Sequence, residues 1–283
     1  MKILKKFDPW NSKLCTCPPK LTLNPYTGCE HRCVYCYVTY VRNFFECRPK
    51  RFSLKDLEED ARKLKGELVS MSNSSDPYPS MEKKLLLTRN ILKILSSSAC
   101  RVQLITKSTL VLRDIDILKK MKAMVCMTIT SIDDIIGKRM EPGAPEERKR
   151  IKAVERLLAE KIPVAVRIDP IIPLVNDDVE KLIRKLGEIG VKHITSSTYK
   201  VKPENWRRFS MRFPAEARIL HRLYFEEGEK IGNSFYLPRD MRLEMMKSVK
   251  EMVEENGMKF GVCREGFPRL NSAICDGSWL LRD

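Results

Sequence analysis

The run Cys29-Glu-His-Arg-Cys33-Val-Tyr-Cys36 places three thiols within eight residues. Spacings of three and two intervening residues let a single loop turn three thiolates toward a common point, which suits an iron–sulfur cluster held by cysteine sulfur. A fourth ligand is missing from the run. A cubane bound here therefore keeps one iron open to a substrate or cofactor and acts as a reagent, not only as an electron wire. Zinc fits less well, because it wants four ligands in paired knuckles and no C-x2-C partner stands near this run, although His31 lies inside it. Disulfides fit less well again: three closely spaced cysteines are an odd number, and no signal peptide precedes them.

With Tyr35 directly before the last cysteine, the run resembles the signature of the radical S-adenosylmethionine (SAM) superfamily, C-x3-C-x2-C with an aromatic residue in that place. The wider stretch from Asn24 to Tyr37, Asn-Pro-Tyr-Thr-Gly-Cys-Glu-His-Arg-Cys-Val-Tyr-Cys-Tyr, is similar to the branch grouped with spore photoproduct lyase, often labelled DNA repair photolyase-like. The resemblance implies a [4Fe–4S] cluster on Cys29, Cys33 and Cys36, with Tyr35 at the cofactor. It implies that the reduced cluster, chelated by SAM, passes an electron into the sulfonium, giving methionine and a 5′-deoxyadenosyl radical that takes hydrogen from substrate. An external one-electron reductant, a ferredoxin or flavodoxin, is then expected.

The chain has 283 residues, enough for one large α/β domain or a domain with a cap. No apolar stretch approaches a membrane span, and the charged N-terminus lacks a following apolar core, so a cytoplasmic location is expected. Ten cysteines in such a protein point to metal or catalytic use before disulfides, with hyperthermophile proteins as the exception. Fifty-three basic against 37 acidic residues leave a net charge of +16, which favours polyanionic partners such as DNA or tRNA. Lys and Glu enrichment is also a mark of heat adaptation.

Beyond the cysteine loop, short apolar or β-branched runs alternate with amphipathic stretches. Strands are expected at Leu21–Asn24, Glu67–Met71, Arg101–Ile105, Val125–Thr130, Val164–Ile168 and His193–Ser197, and helices over 53–65 and 80–96, with Ser53 and Ser80 as caps, 145–161 and 177–189. This rhythm predicts right-handed βαβ units and a parallel sheet whose βα loops build a site at the C-terminal face. Six units do not close an eight-stranded barrel. They match the open, partial (β/α)6 TIM-type barrel that the resemblance implies. The expected division is an N-terminal extension with a C-x-C pair over 1–20, the core over 21–200, and a helical C-terminal extension over 201–283 that includes a short strand at Lys259–Val262.

The resemblance also suggests where SAM is held. The segment after the second strand receives the methionine amino group in related sequences, which points to Ser74, Ser75 and Asp76, although Asp-Pro with serines is also ordinary turn chemistry. Lys107, after the third strand, resembles the lysine that meets the SAM carboxylate, against the alternative of a solvated surface lysine. Thr128 and Thr130 share a strand face and reach the ribose or carboxylate if that face lines the barrel, or serve as strand formers. Arg167, inside an apolar strand, is expected to bond SAM or an internal carboxylate such as Asp169 or Glu141.

Spore photoproduct lyase uses a cysteine near the end of the second strand as hydrogen donor. Asn73 and Ser74 stand there instead, which puts that reaction in doubt and leaves Cys126 or Tyr78 as donors in another geometry. Cys15, Cys17, Cys263 and Cys275 bring four thiols from the two chain ends: a second iron–sulfur cluster or zinc is one reading, inert thiols or a disulfide the other. Cys47, Cys100 and Cys126 read as core cysteines. Basic and aromatic residues interleave over 200–213, with Trp206, Phe209 and Phe213 at core spacing and some arginines left for phosphates. A radical enzyme acting on nucleic acid is thus the first reading, one acting on a peptide or small metabolite the second, and a non-enzymatic iron–sulfur protein a distant third.

Overall fold

In the computed structural model, which describes residues 1–7 and 12–282, the Val-, Ile- and Leu-rich runs form one continuous sheet. Its strands are β1 (Lys5–Lys6), β2 (Leu21–Leu23), β3 (Lys65–Met71), β4 (Ala99–Thr106), β5 (Lys122–Thr128), β6 (Val164–Ile171), β7 (His193–Thr198) and β8 (Lys259–Val262). They lie side by side in chain order, β1 antiparallel to β2 and all the others parallel. The first and last strands are not paired, so the barrel is open. The expected six parallel strands are present. A seventh, β8, comes from the tail and extends the same sheet beyond β7.

Helices α1 (Leu54–Ala61), α2 (Leu87–Ser96), α3 (Glu147–Ala159) and α4 (Glu180–Glu188) alternate with the strands, and α5 (Pro203–Arg212), α6 (Pro214–Phe225) and α7 (Arg239–Glu255) follow β7. Ser53 caps α1 by accepting from the Asp56 N–H, as its sequence suggests. The expected helix over 80–96 is instead broken at Leu86, whose φ is +52°. There the Glu82 carboxylate accepts the N–H groups of Thr88 and Arg89 and restarts the helix, while Ser80 binds Glu30 and caps nothing.

Period-two alternation divides the strand side chains between two cores. Val102, Leu104, Val125 and Val166 face the outer helices in the main core, which includes Ile91, Leu157, Leu182 and Val249. Met124, Cys126 and Ala165 face inward, where the C-terminal turn Ser278–Leu281 brings Leu281 against them and plugs the barrel. A third core, with Phe209 of α5, Phe213 at the junction of α5 and α6, and Tyr224 of α6, packs against Val34 and Tyr35. The aromatics of the 200–213 segment are thus packed, as their spacing suggests. No helix among the described residues is long and apolar enough to cross a membrane.

Candidate cofactor site

A two-stranded ribbon, Tyr26–Thr27 with Arg48–Pro49, ties off the loop that carries the three cysteines. Gly28 enters that loop at φ +82°, where a Cβ would lie 2.6 Å from the carbonyl oxygens of both Phe44 and Glu46, so only glycine fits. Helix α5 clamps the other side: Asn205 Nδ2 donates to Tyr35 O at 3.1 Å, and Arg208 Nη2 donates to Cys36 O at 2.8 Å and Thr39 Oγ1 at 3.2 Å. Cys29, Cys33 and Cys36 are free thiols on the wall of a cavity of about 1060 Å³. Burial raises the Cys29 and Cys36 thiols and pushes Cys33 up to about 12. Iron bound there would reverse that shift, because a metal-coordinated thiol is deprotonated outright.

Among the described residues, no three His, Cys, Asp or Glu side chains stand around one point closely enough for a single metal ion. Cubane ligands are spread more widely, since each thiolate bonds a different iron. Soft, undisulfided sulfur donors on one short loop therefore suit a cluster better than zinc.

Each parallel strand sends something to this cavity from its C-terminal half or just beyond it. The thiol loop follows β2 and Ser72–Asp76 follow β3; Lys107 comes after β4, Thr128 from β5, Asp169 from β6 with Arg167 at mid-strand beside it, Ser197 from β7 and Cys263 after β8. Strand ends are where parallel α/β folds build their sites.

The residues singled out from sequence are held in different ways. Tyr35 donates its hydroxyl to Glu141 Oε1, and its ring lies 5.6 Å from Lys107 Nζ. Lys107 Nζ is 3.8 Å from the same Glu141 oxygen and faces the thiol loop, not bulk solvent. Ser74 lines the cavity, while Ser75 donates its hydroxyl to Tyr26 O at 2.7 Å. Asp76 is fully engaged by His31 Nε2 at 3.0 Å, the Lys107 N–H at 2.8 Å, the Tyr78 N–H at 2.9 Å and Thr106 Oγ1. Burial alone would raise its carboxyl, but His31 and these N–H bonds hold it below the usual range. Asp76 thus organises the loop around the cavity.

Thr128 faces inward with Met124 and Cys126 and reaches the cavity, but β5 stops there. Thr130, expected on the same face, turns its hydroxyl to Glu141 Oε1 at 3.1 Å and is absent from the cavity wall. Arg167 pairs with Asp169, whose other oxygen accepts from Ser197 Oγ. Lys200, read from sequence as part of a basic run, instead enters the cavity and pairs with Glu265 at 2.9 Å. Neither Tyr78 nor Cys126 reaches the cavity, and Cys47 is only half-buried, unlike Cys100 and Cys126.

Sequence reasoning named Glu141 only as a possible partner of Arg167, which pairs with Asp169 instead, and it missed Ser72. Glu141 bonds Arg150 at 2.6 Å, wholly buried beneath Tyr35 and Lys107, a link that a lone Glu in Glu-Pro-Gly does not announce. Ser72, at φ +70°, lines the cavity with a buried hydroxyl that has no partner among the described residues. A strained, non-glycine residue with an orphaned hydroxyl marks a place where a bound polar group is expected.

Comparison with known proteins agrees with this geometry. Spore photoproduct lyase structures align with TM-scores of 0.65 over 92% of this chain and 78% of theirs, and 0.64 over 89% and 75% for a form with bound AdoMet and dinucleoside spore photoproduct, both at 17% identity. SuiB of Streptococcus suis, bound to S-adenosylmethionine, aligns at 0.60 with 12% identity, over 91% of this chain and 55% of that one. At these identities the likeness shows the fold, an open barrel of the same kind. An uncharacterised protein of Methanocaldococcus jannaschii is 36% identical over 161 residues, 54% of this chain and 61% of that protein, and one of Acidianus two-tailed virus is 26% identical over 196 residues, 61% and 64%. The chain spans about three fifths of the length of the curated relatives it matches. The Radical SAM superfamily model matches residues 23–186, more than half of the chain and every strand from the thiol loop to β6, and the chain belongs to that superfamily.

Proposed function

We propose that this chain is a radical SAM enzyme acting on nucleic acid. The observation that carries the enzyme reading is the convergence of three thiols and the polar ends of seven parallel strands on one cavity. Cys29, Cys33 and Cys36 hold a [4Fe–4S] cluster in this reading, and Ser72, Ser74, Lys107, Thr128 and Arg167 are placed to receive SAM. Cluster and SAM together supply reductive cleavage of the sulfonium and a 5′-deoxyadenosyl radical. Tyr35 and Glu141 fix the position of Lys107, Asp76 holds the β3 and β4 loops together, and the packed α5–α6 core keeps water from the thiol loop. The electron comes from an external carrier of the ferredoxin or flavodoxin class. Cys15, Cys17, Cys263 and Cys275 form a second metal site.

The nucleic-acid reading rests on the net charge of +16 and on Lys13, Lys202 and Arg264 along the cavity wall, where Lys202 also lies 5.5 Å from the Tyr40 ring. Cations beside an aromatic ring suit a phosphate backbone with stacked bases. Fluorescence anisotropy with single-stranded RNA and DNA at about 50 and 200 mM salt tests it: affinity falls steeply with salt if phosphates are bound, and no binding at the lower salt overturns it. The paired charges Arg167–Asp169 and Lys200–Glu265 favour a second reading, a small zwitterionic or peptide substrate. That reading holds if anisotropy stays flat and a peptide or amino-acid pool increases SAM cleavage.

A further inference from the structure

The cations around the thiol loop fall into two groups. Lys13, Lys202 and Arg264 line the cavity, whereas Arg32, Lys138, Arg139, Arg208 and Arg212 do not. The second group is held on the other side of the loop. There the Phe45 ring joins the loop to α5: the Arg32 guanidinium stands 5.9 Å from its centroid and that of Arg208 5.3 Å. The short helix Asp134–Met140 closes the remaining flank. Met140 O accepts the Val34 N–H at 2.9 Å, and His31 O accepts the Gly143 N–H at 2.9 Å. Arg139 donates to Arg212 O at 2.7 Å and lies 4.1 Å from the centroid of the Phe213 ring. Thiol loop, short helix and the C-terminal half of α5 therefore share one surface.

The positive charge on this surface is uncompensated. Arg32, Lys138 and Arg212 are exposed; Arg32 and Arg212 form no ion pair among the described residues, and Lys138 Nζ bonds the Pro142 carbonyl at 2.7 Å. The carboxylates of the short helix are already engaged. Asp133 caps it by accepting the N–H groups of Ile135 and Ile136, and Asp134 pairs with Arg148 at 3.3 Å. Ile135, one turn before Arg139, and Met211, beside Arg212, are 74% and 75% exposed and set apolar side chains among the cations. Met and Arg are residue types that protein interfaces favour.

What binds here follows from the side it faces. A nucleic acid held on this surface lies behind the thiol loop and does not present its bases to the cavity. An electron has the opposite need: it must reach the three cysteines without crossing the space that SAM and substrate fill. We propose that the surface formed by Arg32, Lys138, Arg139, Met211 and Arg212 docks a small acidic one-electron carrier of the ferredoxin type. The proposal rests on the reading of Cys29, Cys33 and Cys36 as cluster ligands. One electron leaves the reduced carrier and enters the oxidised cluster; no bond forms or breaks and no proton moves. Encounters of this kind bury little area, below about 1,200 Å² in total, and complementary charge sets how often they succeed.

The test compares the cluster-loaded full chain with a double variant, Lys138→Glu with Arg212→Glu, neither of which touches the cavity. Calorimetric titration with an acidic [2Fe–2S] ferredoxin at about 50 and 200 mM salt reads binding, and rapid-freeze electron paramagnetic resonance reads how fast the reduced ferredoxin reduces the cluster. The parent should bind, more weakly at the higher salt. The double variant should bind at least about tenfold more weakly and accept electrons from ferredoxin about tenfold more slowly, while its reduction by dithionite and its Tm stay those of the parent. Met211→Ser should weaken binding without changing its salt dependence. A parent that binds no ferredoxin at the lower salt, or a double variant with the parent's Kd and rate, overturns the proposal. So does a double variant that loses single-stranded RNA or DNA and keeps ferredoxin, which would give the surface to nucleic acid. A parent cluster that dithionite fails to reduce counts against the cluster reading alone, because the titration reads the surface without any electron transfer.

Discussion

Replacing Glu141 by Gln tests whether the charges beneath the thiol loop act as one unit. Glu141 and Arg150 are completely buried and 2.6 Å apart, and the same carboxylate accepts from Tyr35 and Thr130 and faces Lys107. The amide keeps an oxygen for Tyr35 and Thr130 but removes the charge that compensates Arg150. Breaking a buried pair by removing one partner costs about 3–5 kcal/mol. The lower end applies, because Glu147 still contacts Arg150. At roughly 2.1 cal/mol/K per residue, 283 residues give an unfolding entropy near 0.6 kcal/mol/K, so a loss of ~3 kcal/mol lowers Tm by ~5 °C. Glu141→Leu combined with Arg150→Met removes both charges and should cost less than the sum of the single changes by ~2 kcal/mol. Thermal unfolding of cluster-loaded protein, followed anaerobically by circular dichroism, reads both. A Glu141→Gln melt within ~1 °C of the parent, or full additivity in the double variant, would refute the reasoning.

Three further outcomes follow from the same geometry. Burial pushes the Glu147 carboxyl up to about 7 against the pull of Arg150, so the folded chain holds a proton that the unfolded chain releases from its ordinary value of 4.5; stability therefore falls as pH rises between these values and levels off above, and Glu147→Gln should flatten that slope in Tm-versus-pH measurements. Ser72→Ala should leave Tm unchanged while weakening SAM binding, whereas Ser75→Ala, which loses the bond to Tyr26 O, should cost about 1 kcal/mol and lower Tm by ~2 °C; calorimetric titration alongside melting separates the two. Lys107→Met should weaken SAM binding to cluster-loaded protein by roughly 30-fold, the value of one charge-assisted contact of about 2 kcal/mol, and an unchanged Kd removes Lys107 from the SAM site.

Much of the fold is legible because each strand and its helix are local objects. The β-branched runs of β4 to β7 and the capping Ser53 carry their own signals, and the thiol run carries its own chemistry. What stays hidden depends on residues far apart in sequence. Glu141 meets Tyr35 across 106 positions, and Lys20 meets Asp276 across 256, so neither pairing leaves a periodic trace. The break at Leu86 is hidden for a related reason: Glu82 restarts the helix while also bound to Tyr26 and Arg113 from elsewhere in the chain. Thr130 shows the limit of period-two reasoning, which places a side chain only while the strand lasts. Lys200 shows the limit of charge counting, since a cation in a basic run can still turn inward to a buried carboxylate.

The central claim is that the three thiols and the strand ends around them make radicals from SAM. Anaerobic protein with a fully loaded cluster, mixed with dithionite and SAM and assayed by mass spectrometry, should release 5′-deoxyadenosine and methionine, and Cys33→Ala should abolish both. A loaded cluster that yields no 5′-deoxyadenosine, with or without added nucleic acid, contradicts the account.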